Sequence, residues 1–169
     1  MIKYNHNLGY GLTLVNDRVV RKTAKLSTRQ AFEHLQAICT HLMRHPDPTI
    51  VPIYDFKVLC EPQSVFGWYE YQYDMMRLGM LSNDEKDFIL RLTLLNRSEW
   101  NDHAGIQEYK KSFPELYSFI DTIAYQGRYC DIHAGNFLKN EQEQFFTIDL
   151  EGFYSGQSLD HPDNNWIIR

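Results

Sequence analysis

Cysteine is scarce in this chain: Cys39, Cys60 and Cys130 are its three, irregularly spaced in 169 residues. An odd, sparse set of this kind is no disulfide framework and reads as free thiols in a reducing compartment. Long apolar runs are missing too. No stretch approaches the roughly 18 residues needed to span a bilayer, and the opening MIKYNHNLGYG has no apolar core of signal-peptide length. A cytoplasmic protein without a membrane partner is therefore expected. Positive charge is not in excess: 17 Lys and Arg against 22 Asp and Glu give a net charge of −5, which argues against broad binding to nucleic acid. There is no internal repeat and no low-complexity tract. What is present is ordinary globular composition, 43% hydrophobic and 23% charged, enough for one domain or two small lobes folded as a unit.

The pattern along the chain is strand-rich first and helix-rich later. Ile2 to Leu8, Leu12 to Val15 and Arg18 to Lys22 read as short strands, the last two flanking a tight turn at Asn16-Asp17. Ser27 and Gln30 have capping-box spacing ahead of Phe32, Leu35, Ile38, Cys39 and Leu42, one apolar helical face that His45-Pro46-Asp47-Pro48 stops. Ile50 to Leu59 and Phe66 to Tyr73 are further strands, and Asp74 to Leu81 is a connector. Ser82 with Glu85, and Ser112 with Glu115, open two more helices; Gly127 is placed to end the second. A hairpin of Phe137 to Leu138 and Phe145 to Ile148 follows. The fold class expected is α+β, with a cleft between the halves as the natural ligand site.

The strongest local signal is Tyr129-Cys130-Asp131-Ile132-His133-Ala134-Gly135-Asn136, with Asp149 thirteen positions beyond. An Asp at a loop end can orient a hydroxyl and take its proton as the oxygen attacks. An Asn side-chain oxygen and an Asp carboxylate are hard ligands suited to Mg²⁺, and a short hairpin between Asn136 and Asp149 would face both toward one cleft. Cys130, His133, His103 and His161 do not pair into a recognised zinc spacing.

Asp131, Asn136 and Asp149 in this spacing resemble the catalytic-loop and metal-binding residues of the protein-kinase-like superfamily. DIHAGNFL is closest to the branch of aminoglycoside and choline phosphotransferases, and is similar to small kinases encoded by bacteriophages. The resemblance implies Asp131 as catalytic base, Asn136 and Asp149 as Mg²⁺ ligands, and His133 beside the transferred phosphate. It implies a bilobal kinase-like fold: an N-lobe of residues 1–76, and a truncated, mainly helical C-lobe of residues 77–169 open to completion by a partner. Within it Val19-Val20-Arg21-Lys22 resembles the third-strand motif, with Lys22 as phosphate anchor, Lys25 as alternate anchor, and Glu33 on the next helix as the ion-pair partner. Strand alternation puts Val20 on the Lys22 face, to pack on an adenine. Gly9 and Gly11 stand where a phosphate lid would be, and Met75 and Met76 where an inter-lobe hinge would bind the adenine edge.

Tyr129-Cys130 replaces the usual His-Arg, and Leu150-Glu151 replaces Phe-Gly, with Glu151 a further acidic group near the metal. The function implied is an ATP- and Mg²⁺-dependent phosphotransferase acting on a hydroxyl, first a protein serine or threonine and alternatively a small molecule. Its compartment would be the host-cell cytoplasm if the chain is phage-encoded. A catalytically inactive, partner-binding relative is the second reading. A metal-dependent hydrolase using Asp131, His133 and Asp149 is the third, and it leaves Lys22 and Glu33 without a task.

Overall fold

The computed structural model describes residues 11–64, 66–96, 99–125 and 131–153. They form an α+β fold with a four-stranded antiparallel sheet, four α-helices and a separate two-stranded hairpin. Strands β1 (Leu12–Asn16), β2 (Val19–Leu26), β3 (Ile53–Cys60) and β4 (Tyr69–Met76) lie in the order β1-β2-β4-β3. The β1–β2 turn falls at Asn16-Asp17, where the Asn16 side chain accepts from the Arg18 amide at 2.8 Å. At its entrance Gly11 has φ 79°, and a Cβ there would meet the Thr23 carbonyl oxygen at 2.5 Å. This glycine is accounted for by the hairpin. Ile2 to Leu8, Gly9 and Gly127 lie outside the described residues.

Helix α1 (Arg29–Arg44) joins β2 to β3 and packs Phe32, Leu35, Ile38, Cys39 and Leu42 against the sheet. Its cap is Thr28, whose side chain accepts from the Ala31 amide; Ser27 and Gln30 do not form the expected box. Phe32 stacks on Tyr69 with centroids 4.7 Å apart, so α1 covers one end of the Tyr69-Tyr71-Tyr73 face. Pro52 delays β3 to Ile53, and Phe66, 94% exposed, lies before β4. Strand β4 extends through Met76, three residues into the expected connector.

The later half holds α2 (Asn83–Thr93), α3 (Ala104–Ser112) and α4 (Pro114–Tyr125). Helix α3 was not expected; only Ile106 on it is buried, too little apolar face to show a period. Ser112 ends α3 with its hydroxyl on the Glu108 carbonyl and does not open α4, which starts at Pro114, where a missing amide costs nothing. Phe88, Tyr109, Phe113 and Tyr117 stack where these helices meet. One hydrophobic cluster runs from Val20 and α1 through Phe88, Ile120 and Phe137 to Leu150.

The hairpin of β5 (Phe137–Lys139) and β6 (Phe145–Thr147) is bonded on both flanks to the chain around the sheet. Thr147 N–H donates to Thr49 O at 2.9 Å and Val51 N–H to Thr147 O at 3.0 Å; Gly79 and Lys139 exchange backbone bonds of 2.7 and 3.0 Å. The start of α2 adds another tie. Ser82 and Glu85 form the expected capping box, and the other oxygen of buried Glu85 accepts from Lys139 Nζ at 3.1 Å. Ser82→Ala should cost about 1 kcal/mol and Glu85→Ala about 2 kcal/mol, since the second removes both the cap bond and one of the two carboxylates on Lys139. Urea denaturation with an unchanged m-value is the measurement.

Candidate functional site

Register sets the first wall of the site. Lys22 pairs with Tyr73, and Val20 with Met75, so alternation aligns Val20, Lys22, Tyr71, Tyr73 and Met75 on one face of the sheet. A 3₁₀ turn, Leu150–Phe153, brings Asp149 and Glu151 to that face and packs against α1. Lys22 Nζ lies 2.9 Å from Asp149 Oδ1 and 2.8 Å from Glu151 Oε2, joining residues 127 and 129 positions apart. It also sits 5.8 Å from the centre of the Tyr73 ring.

Glu151 is gripped from the sheet as well. The Tyr71 hydroxyl donates to its Oε1, and the Tyr73 hydroxyl lies 3.4 Å from its Oε2. Burial penalises the Lys22 ammonium, but Glu151 and Asp149 outweigh that and raise its pKa. Burial and the adjoining Asp149 raise that of Glu151. Burial acts the same way on Asp149, yet bonds from Glu151 and the charge of Lys22 prevail and lower it. Two carboxyls at one cation therefore divide their roles: Asp149 is the one that ionises readily. Beneath them Cys39 is fully buried and its thiol pKa is raised by burial and then by Glu151, which makes it inert packing.

The second wall is the turn Asp131 to Asn136. His133 caps the 3₁₀ turn Ala134–Asn136: its Nδ1 accepts from the Gly135 amide at 3.1 Å, which leaves Nε2 to carry the hydrogen, 3.5 Å from Asp131 Oδ2. A Cβ on Gly135 would press on that ring at 3.0 Å. Asn136 is buried and donates through Nδ2 to both the backbone oxygen and Oδ2 of Asp131, each at 2.9 Å. Its carbonyl accepts from Ile148 N–H at 3.0 Å, tying this turn to the residue before Asp149. Asp131 and His133 keep more than half of their side-chain surface open, 56% and 54%.

Four sequence expectations are corrected. Glu33 does not meet Lys22; it is held by Arg29 at 2.6 Å, one turn back on the exposed side of α1. Met75 and Met76 are strand residues inside the sheet, not a hinge with open backbone: Met75 pairs with Val20 and Ile53, and Met76 N–H donates to Pro52 O at 3.0 Å. Met76 points away from the Lys22 face and lines a hollow of about 750 Å³ with Arg18, Tyr54, Arg77 and Asn140. Val20 shares the Lys22 face but is 4% exposed, its surface taken by the core. Gly9, Tyr129 and Cys130 lie outside the described residues. Lys25, the alternate anchor, pairs in register with Glu70 at the far end of β2.

Tyr71 and Tyr73 are site residues that sequence reasoning missed. Their alternation with Tyr69 in a strand was the available signal, read only as strand propensity. Among the described residues, no three His, Cys, Asp or Glu side chains group as a metal site; Asn136, Asp149 and Glu151 offer one amide and two carboxylates. No known family model matches the chain, and no curated protein matches it in sequence.

Removing the cation tests this electrostatic arrangement directly. Lys22→Met should destabilise the fold by about 2 kcal/mol, because two partly buried carboxyls lose their counter-charge. Adding Glu151→Gln to that variant should recover part of the loss, by double-mutant denaturation.

Proposed function

We propose that this chain is an ATP- and Mg²⁺-dependent phosphotransferase of two-lobed, kinase-like form that moves the γ-phosphoryl group to a hydroxyl. The observation carrying this reading is Lys22 against Asp149 and Glu151, a cation from the sheet and acids from the hairpin end meeting across 127 residues. Transfer of this kind needs alignment of the acceptor and neutralisation of phosphate charge more than covalent help.

The residues fit the two groups this activity requires. Asn136 and Asp149 are oxygen donors of the hard type that Mg²⁺ takes while keeping water and phosphate oxygens. A bound Mg²⁺ would supply positive charge to the β- and γ-phosphates. Lys22 is the nearby ammonium for the other phosphate oxygens. Asp131, oriented by the Asn136 amide and with His133 beside it, would align the attacking hydroxyl and accept its proton. The openness of Asp131 and His133 favours a hydroxyl on a large molecule, hence protein serine or threonine before a small-molecule alcohol.

A second reading, a nucleotide-holding module that acts by docking, is favoured by Glu33, which a transferring enzyme would be expected to commit to Lys22 and which here serves Arg29.

Purified protein with Mg²⁺ and γ-labelled ATP should label itself, proteins of an added lysate, or an added amino-alcohol or aminoglycoside. Asp131→Ala should lower that transfer by about a hundredfold or more, the usual weight of a general base, with ATP affinity by calorimetry nearly unchanged. Asp149→Ala should remove the Mg²⁺-dependent part of the affinity. ATP binding without transfer in the unaltered protein supports the docking module; absence of both overturns the nucleotide reading.

A further inference from the structure

In the site just described, Lys22 has two acidic partners, and they are not equivalent. Asp149 lies two residues past β6 and contacts Lys22 at 2.9 Å. Glu151 is fixed from the sheet side by two tyrosine hydroxyls, one a direct bond from Tyr71 and the other a long 3.4 Å approach from Tyr73. Those tyrosines are almost fully buried, 1% and 0% exposed, with rings stacked 6.3 Å apart and 4° from parallel. Glu151 thus sits against a rigid wall, and the same wall bears Lys22.

We infer that Glu151 is the residue that positions Lys22 for the triphosphate, with Tyr71 and Tyr73 as its support, taking the place expected for Glu33 on α1. The inference rests on the phosphotransferase reading. If Asp149 is engaged by a magnesium ion, its negative charge is shared with that ion, and Lys22 needs another carboxylate to stay extended along the sheet. Among the ionic partners of Lys22 in the structure, Glu151 is the one left. Glu33 is spent on Arg29.

Charge alone predicts the opposite experimental sign, which makes the inference testable. An acidic group beside a triphosphate repels it, so a Glu151 without a positioning role should bind ATP more tightly when neutralised. ATP affinity is measured by calorimetry in chelator, free of metal, for the unaltered protein, Glu151→Gln, Lys22→Met and the double variant. Glu151→Gln is expected to weaken binding by about tenfold, the size of one charge-assisted bond. In the Lys22→Met background the same change should no longer weaken it. Tyr73→Phe keeps the ring and should move affinity in the same direction by less, a check that stands if Glu151→Gln folds poorly. Glu33→Gln should leave affinity as it was.

Unchanged or tighter binding by Glu151→Gln, or an equal loss with and without Lys22, overturns the positioning role while leaving the phosphotransferase reading intact. No ATP binding by the unaltered protein overturns both.

Discussion

The geometry of this molecule turns on one ammonium group. Lys22 stands on the second strand of the sheet, and its two carboxylate partners come from the end of the described chain. Neither side is satisfied alone: the lysine is drawn out of water by its packing, and two acids side by side repel. Bringing them together solves both problems and places the strand-rich and helix-rich halves at one spot. An unpaired member would cost more than the pair gains, which makes the arrangement demanding as well as stabilising.

The hairpin β5–β6 makes that meeting possible. Its backbone bonds to Thr49, Val51 and Gly79 clamp it to the chain on either side of the sheet, so the turn carrying Asp131, His133 and Asn136 leads into a fixed hairpin and the turn carrying Asp149 and Glu151 leaves it against Lys22. The Asn136 amide bonds to Asp131 while its backbone receives Ile148, so one buried side chain couples the two turns.

Much of this was legible in the sequence where the signal was local. The apolar face of α1, the Ser82–Glu85 box and the short hairpin after Asn136 all involve neighbours, and their physics is short-ranged. Side-chain partnership across the chain was harder. Glu33 lay in the right element for Lys22, but an arginine one turn away on the same helix reaches it without any tertiary closure. Ser27 lost the cap to Thr28 by a single residue, a distinction that depends on backbone angles and not on side-chain type. Helix α3 was missed because an element that buries one isoleucine leaves almost no period to find. Tyr71 and Tyr73 were read as strand formers; only the register reveals that their hydroxyls converge on an acid from the far end of the chain.

Glu85 serves two masters. One of its oxygens closes the first turn of α2 and the other holds Lys139 of the hairpin. A single carboxylate thus makes helix initiation and hairpin placement parts of one cooperative event. Fraying of α2 at its start would loosen the strand that leads out of the Asp131 turn, so a thermal fluctuation there is transmitted to that turn without any moving domain.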